Sequence, residues 1–301
     1  MKLLKVVSGL CVWSMVAVSS FAQKLPDQQE VSLRPPANIK IDGKATEWPA
    51  FQAYNKSTSL FYTITNDDDN LYLAVQSTNS GITNKIMRGG LTFTVNTTGK
   101  KKEKEGISIM FPVPPKNDMM SMMQGMRTAM GGAGGPGGRP GQTVIMGGPP
   151  SGDPAAMMKR ADSIMYEMNR QQIDKLKDIK VFGIKDITDS LLSIYNEEGI
   201  KARALFDGNR NYTYELAIPL KYLSITTNNP KEFTYNIKLN GMQLNLPPPP
   251  PSMAGGGAPT VVINGAPMGG GGMRMGGPGG IDFMSMFSVT DFWGKYTLAK
   301  K

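Results

Sequence analysis

Two tryptophans outside the first 22 residues are the side chains best suited to a polyhydroxylated ligand. Flat aromatic rings pack on the apolar faces of sugar rings, and neighbouring polar groups bind the hydroxyls. Near the C-terminus, strand alternation places Phe292 and Tyr296 on one face, and Trp293 and Lys295 on a more polar face. Trp293 is therefore the stronger candidate and Trp48 the second. The alternatives are that Trp293 covers a sheet edge and that Trp48 packs in the interior.

An acidic turn offers candidate ligands for a metal ion. Asp67, Asp68 and Asp69 follow one another between two strand-like runs. Carboxylates on a turn can bind Ca²⁺, although this spacing matches no EF-hand loop. Calcium is thus a candidate cofactor, and a solvated hairpin turn is the alternative interpretation.

Closely spaced methionines offer a different metal chemistry. Met119, Met122, Met123 and Met126 lie in a segment rich in methionine, glycine and proline. Thioethers are soft ligands suited to Cu(I). The alternatives are that these residues fill a disordered segment, or that a flexible methionine-rich surface binds a partner protein.

Other classes of function lack the residues they need. The chain has no histidine, and its single cysteine, Cys11, lies in the N-terminal apolar run. This excludes histidine-based catalytic triads and histidine zinc sites. For glycoside hydrolysis, the sequence identifies no partner carboxylate for Glu215. We therefore predict that the protein is not an enzyme, and the dispersed basic residues do not predict nucleic-acid binding.

The N-terminus has the pattern of a secretory signal peptide. Lys2 and Lys5 precede an apolar run, and Ser20 and Ala22 flank a small-x-small cleavage site. We predict a signal peptide over residues 1–22 and a loosely ordered leader over residues 23–38. No later stretch is long and apolar enough to predict a transmembrane helix. The expected location is secreted, either periplasmic or on the surface of a bacterial cell.

The rest of the chain alternates between strand-like runs and two segments of low complexity. Period-two alternation predicts strands joined by hairpins, over residues 60–65, 71–76, 91–95, 107–111, 180–184, 191–195, 201–206, 212–218, 233–239 and 288–300. Residues 112–153 and 246–281 are rich in Gly, Pro and Met, which predicts disordered insertions. An amphipathic helix is predicted over residues 153–179, because apolar residues recur there at helical spacing.

Short motifs in the predicted strands share one family resemblance. Asp42-Gly43 followed by Glu47-Trp48, the DDDNLYLAV stretch at residues 67–75 and the YELAIPL stretch starting at Tyr214 resemble the family 9 carbohydrate-binding modules and the related DOMON-type domains. The resemblance covers residues 39–111 and 181–300, apart from the second insertion. It implies one antiparallel β-sandwich over residues 39–301 that binds a glycan without catalysis. Some family 9 modules carry structural calcium, and they clamp a sugar between two tryptophans.

A second interpretation uses the same fold differently. The sandwich would then be a scaffold without a sugar site, and the two insertions would contact an envelope protein partner or hold Cu(I). Loss of function on deleting the insertions would favour the scaffold, and loss on replacing Trp293 would favour the sugar site.

Overall fold

The strands form two antiparallel sheets with few helices, which confirms the predicted all-β class. The computed structural model describes residues 24–114, 154–242, 261–263, 266–268 and 283–301. One sheet has five strands, in the order β1 (Ala53–Asn55), β2 (Leu60–Asn66), β3 (Asn70–Ser77), β9 (Tyr212–Pro219) and β8 (Lys201–Phe206). The other has six strands, in the order β13 (Thr290–Tyr296), β10 (Phe233–Leu239), β4 (Leu91–Asn96), β5 (Ile107–Phe111), β6 (Asp178–Phe182) and β7 (Leu191–Ser193).

Apolar side chains of both sheets pack in one core. Alternation along β2 buries Leu60, Tyr62 and Ile64 on the face that meets this core. The Tyr62 hydroxyl lies 2.9 Å from the Tyr235 hydroxyl of β10, so a buried hydrogen bond joins the two sheets. Trp48 and Trp293 both lie away from this main core cluster.

A helix that was not predicted connects β3 to β4. Helix α1 spans Ser80–Gly89. The Asn79 side chain accepts a hydrogen bond from the Ile82 N–H at 3.1 Å and caps its start, and Gly90 ends it at φ 81°. The run is only ten residues long and contains glycine and threonine, so its helical signal is weak.

The long helix is shorter than predicted. Helix α2 spans Pro154–Ile173 rather than residues 153–179. A turn follows, in which the Leu176 N–H bonds to the Ile173 carbonyl at 3.2 Å. Strand β6 then begins at Asp178 and buries Ile179 against the core. The pairing of β6 with β5 therefore overrides the helical periodicity of these residues.

The remaining elements are short. They are helix α3 (Leu220–Leu223), two 3₁₀ turns (Glu103–Glu105 and Phe283–Met286) and an antiparallel pair of strands, β11 (Val261–Ile263) and β12 (Ala266–Met268). This pair lies inside the second insertion and was not predicted. Most of the first insertion, residues 115–153, lies outside the described residues.

The leader is tied to both sheets, contrary to the prediction that it is loosely ordered. The Gln29 side chain accepts from the Ile64 N–H and donates to the Ile64 carbonyl, both at 2.7 Å, as a neighbouring strand would. Further along, the Leu33 carbonyl accepts from the Asn66 N–H of β2. The Leu33 N–H donates to the Tyr296 hydroxyl of β13 at 3.2 Å. The leader thus links β2 of the five-stranded sheet to β13, the edge strand of the six-stranded sheet.

Replacing Gln29 with alanine should therefore lower the free energy of unfolding by about 2–3 kcal/mol, because two buried backbone groups lose their partner. Urea denaturation of both proteins measures the change. Gln28→Ala is the matched control, since the Gln28 side chain makes an exposed hydrogen bond and should change stability by less than about 0.5 kcal/mol. Equal effects of the two substitutions would show that the leader does not stabilise the fold through Gln29.

Candidate functional site

A buried carboxylate joins two of the sequence motifs that lie far apart in the chain. Glu215 of β9 has no exposed surface. One carboxylate oxygen accepts hydrogen bonds from the N–H groups of Asp42 and Gly43 at 2.9 and 2.7 Å. The other accepts from the indole N–H of Trp48 at 2.6 Å. Glu215 therefore holds residues 42–51 on the outer face of the five-stranded sheet.

The environment of Glu215 favours its neutral form. Burial, with a smaller contribution from the nearby Asp42 carboxylate, raises the pKa of Glu215 to about 7. The three N–H donors act in the opposite direction, because they stabilise the carboxylate. The effect of desolvation on the pKa is larger than that of these donors. No cation among the described residues forms an ion pair with Glu215 that would offset it.

Gly43 allows this segment to lie close against β8. Its φ is 85°, in the left-handed region. A Cβ atom at this position would lie 2.9 Å from the backbone of Ala204 and of Leu205. The Asp42-Gly43 turn is thus a close backbone contact as well as a source of N–H donors.

Trp48 is a packing residue and is not an exposed sugar platform. It packs with Tyr72, Ala74 and Ala217 of the sheet, and only 7% of its surface is exposed. Ile39, Ile41 and Phe51 pack around this cluster. A sugar could stack on Trp48 only if residues 42–51 left the sheet.

Beside this cluster, three half-buried aromatic rings adjoin one another. We call Phe51, Tyr54, Phe61 and Gln76 the aromatic platform. Tyr54 of β1 is paired with Phe61 of β2, and their ring centroids lie 4.6 Å apart. Phe51 adjoins Phe61 at 6.2 Å. Phe61 is in turn paired with Gln76 of β3, so the amide side chain of Gln76 lies next to the aromatic rings.

The amide of Gln76 is held in place by the next strand. Its nitrogen donates to the hydroxyl of Thr213 on β9 at 3.2 Å. Because Thr213 is paired with Gln76, the row Tyr54, Phe61, Gln76, Thr213 crosses four neighbouring strands. Gln52 immediately precedes β1, and its N–H donates to the Thr63 hydroxyl at 3.0 Å.

The platform was not predicted as a site, but the sequence carries a signal for it. The alternation of β2 leaves Phe61 on the same face as Thr63 and Thr65, away from the core. A large aromatic residue on an otherwise polar face is the signal. The neighbours Phe51 and Tyr54 could not be placed beside it, because their position depends on the pairing of β1 with β2.

An open cleft of about 830 Å³ lies beside residues 39–41, which form part of its lining. Its lining includes Tyr72 and charged side chains of both signs, among them Lys40, Lys201, Lys221, Glu197 and Glu198. This balance of charge favours neither anions nor cations. No exposed aromatic ring marks the cleft as the sugar site.

Trp293 belongs to the six-stranded sheet, whereas Trp48 packs against the five-stranded sheet, so the structure does not bring the two predicted tryptophans together. It is half-buried on the edge strand β13, opposite Asn236. The preceding Phe292 packs into the core with its ring 5.2 Å from that of Tyr62, in agreement with the predicted alternation. Trp293 stays a candidate for a single stacking contact, but it does not face Trp48.

The carboxylates of Asp67 and Asp68 in the acidic turn already have partners within the fold. Both carboxylate oxygens of Asp67 accept hydrogen bonds, one from the Asn70 N–H at 2.6 Å and the other from the Tyr72 hydroxyl at 2.6 Å. Asp68 pairs with Arg34 at 2.9 Å, and this guanidinium lowers the pKa of Asp68. Among residues whose positions are described, no group of three acidic side chains is arranged to hold a metal. The turn therefore stabilises the β2–β3 hairpin.

The predicted Cu(I) ligands Met119, Met122, Met123 and Met126 lie outside the described residues. Within them, a separate methionine cluster does occur, formed by Met165, Met168, Met242 and Met286 with Phe287. It lies where α2, the end of β10 and the second 3₁₀ turn meet. Its thioethers contribute mainly apolar packing.

No family model, characterised protein or solved structure matches this chain. None of the helices within the described ranges has the length and hydropathy of a membrane crossing.

Proposed function

We propose that this protein is a secreted, non-catalytic carbohydrate-binding protein whose two sheets form a single antiparallel β-sandwich. The observation that supports the proposal is the aromatic platform on the outer face of the five-stranded sheet. Three adjoining rings, each half-buried, continue into an amide that can both donate and accept hydrogen bonds. This is the combination that sugar recognition requires.

The geometry suggests how a pyranose would bind. The apolar C–H face of one ring would lie on Phe61 and Tyr54, and the hydroxyls at its rim would reach the amides of Gln76 and Gln52. No Asp, Glu, Lys or Arg belongs to the platform, so a neutral sugar fits better than a charged one. The location outside the cytoplasm is part of this proposal and depends on the predicted signal peptide over residues 1–22.

Replacing Phe61 with alanine should weaken saccharide binding about tenfold or more, because the central ring of the platform is lost. Calorimetric titration of the protein with a panel of mono- and oligosaccharides measures the change. Trp293→Ala is the control, and it should leave the dissociation constant within about twofold. The opposite pattern would move the site to the edge of the six-stranded sheet. No binding by the unmodified protein would contradict the proposed function.

A scaffold that binds an envelope partner or Cu(I) is the second candidate. Strand register favours it, because Phe111 at the end of β5 and Leu239 at the end of β10 are both paired with Leu91. The two insertions therefore leave the described fold at neighbouring strand ends. Cu(I) binding in the same calorimetric panel, with no response to any saccharide, would favour this second function.

A further inference from the structure

Residues 42–51 are hydrogen-bonded to the five-stranded sheet through Glu215, whose carboxyl group can gain or lose a proton. The N–H donors of Asp42, Gly43 and Trp48 all end on the Glu215 carboxyl group. Phe51, three residues after Trp48, is part of the aromatic platform and contacts Phe61. The position of Phe51 is thus linked to the state of Glu215.

The charged groups around Glu215 do not neutralise it. Arg203 of β8 is paired with Glu215 in register, but its guanidinium points to Asp174 at 3.8 Å. Lys44 pairs with the Asp42 carboxylate at 3.3 Å. On the opposite side, β3 presents the apolar Ala74. An ionised Glu215 is therefore compensated only by its three N–H donors.

The remaining acid of the covering segment is not directed to this carboxyl group. The Glu47 side chain accepts a hydrogen bond from the neighbouring Thr46 hydroxyl at 3.0 Å. The Asp42 carboxylate accepts from the Lys44 N–H at 2.9 Å. Of these two acids, Asp42 adds negative charge near Glu215, which favours the protonated form of Glu215.

Protonation and the seating of the segment must then be linked. With the segment in place, burial holds the pKa of Glu215 at about 7. With the segment lifted, the carboxyl group reaches water and its pKa returns to its ordinary 4.5. The conformation with the higher pKa is the one that protonation favours. Raising the pH from 4.5 to 7 therefore favours displacement of residues 42–51 from the sheet.

We propose that Glu215 controls the seating of residues 42–51, and through Phe51 the shape of the aromatic platform, in a pH-dependent manner. The segment is held most firmly in acid and becomes easier to displace as Glu215 loses its proton. The effect on sugar binding rests on the proposed function, whereas the movement of the segment does not.

Hydrogen exchange on the full chain tests the movement without any ligand. After correction for intrinsic exchange, protection of the Asp42 and Gly43 amides should fall about tenfold per pH unit between pH 5 and 7 and level off above pH 7. The total change across the two pKa values is about 300-fold at most. The Gly90 amide, bonded to the Ile86 carbonyl in α1, is the internal control and should not follow this profile.

Tryptophan fluorescence gives an independent readout. With Trp13 and Trp293 replaced by phenylalanine, Trp48 is the only tryptophan. Its emission should titrate near pH 7 and should not titrate after Glu215→Gln. Asp42 and Gly43 protection that is constant from pH 5 to 8, or that falls in parallel with that of Gly90, would overturn the proposal even if the glutamine variant does not fold.

Sugar binding completes the test. A saccharide that binds the platform should do so more weakly at pH 8 than at pH 5.5, and Glu215→Gln should remove this difference. If the exchange profile follows Glu215 and no saccharide binds at any pH, the pH-dependent segment stands and the proposed function fails. If a saccharide binds with the same affinity at both pH values, the link to the platform is wrong.

Discussion

Glu215→Ala should lower the free energy of unfolding by about 3 kcal/mol or more. The substitution leaves three N–H groups, those of Asp42, Gly43 and Trp48, without their acceptor in a buried site. Each unsatisfied buried donor costs about 1–3 kcal/mol, and water entering the space recovers part of this. Urea denaturation followed by circular dichroism measures the loss.

The pH dependence of this loss is a sharper test than its size. The folded-state pKa of Glu215 lies near 7, above the ordinary 4.5 that it has in the unfolded chain. Its contribution to stability is therefore complete below about pH 4.5 and decreases as the pH rises to 7. The difference between wild type and Glu215→Ala should be largest in acid. Glu197→Ala, which removes an exposed carboxylate, is the control and should show little difference at any pH.

Gly294→Ala should destabilise the protein by about 3 kcal/mol through overpacking. Gly294 of β13 lies opposite Tyr235 of β10. A Cβ atom there would lie 2.8 Å from Cε1 of the Tyr235 ring and closer still to its Cζ and hydroxyl. The ring cannot move freely, because Phe93 and Phe292 pack around it and its hydroxyl bonds to Tyr62.

Gly208→Ala is the matched control for this substitution. Gly208 lies in the turn between β8 and β9, and a Cβ atom there would meet nothing within 4 Å. Its replacement should change stability by less than about 1 kcal/mol, in either direction. A Gly294→Ala protein as stable as the wild type would mean that Tyr235 is less firmly held than its packing indicates.

The two-sheet fold and the proposed sugar site depend on different observations. The two antiparallel sheets share a core built by regular alternation, and this is the coarse part of the architecture that the sequence predicted. The platform depends on which strands are neighbours. Trp48, singled out by its residue type, is buried, whereas Phe61, which was not singled out as a ligand residue, is half-buried on the outer face.

The sequence by itself determined most of the strands and most of their hairpins. Alternation and turn composition are local properties, and they placed β2, β3, β4, β5, β8, β9 and β10 close to their observed limits. The same local reasoning missed α1 and extended α2 too far. Capping by Asn79 supports α1 although its helical pattern is weak. The pairing of β6 with β5 ends α2 earlier than its helical pattern predicts.

Only the tertiary structure decided which residues meet. The pairing of β3 with β9 and the seating of residues 42–51 bring Glu215 to Asp42, Gly43 and Trp48, more than 160 residues away in the chain. The hydrogen bonds of Gln29 to β2 and of Leu33 to β13 likewise make the polar leader a link between the two sheets. Periodicity shows which face of a strand a residue occupies, but a burial-dependent pKa or an adjoining set of rings depends on the order of the strands and on what covers them.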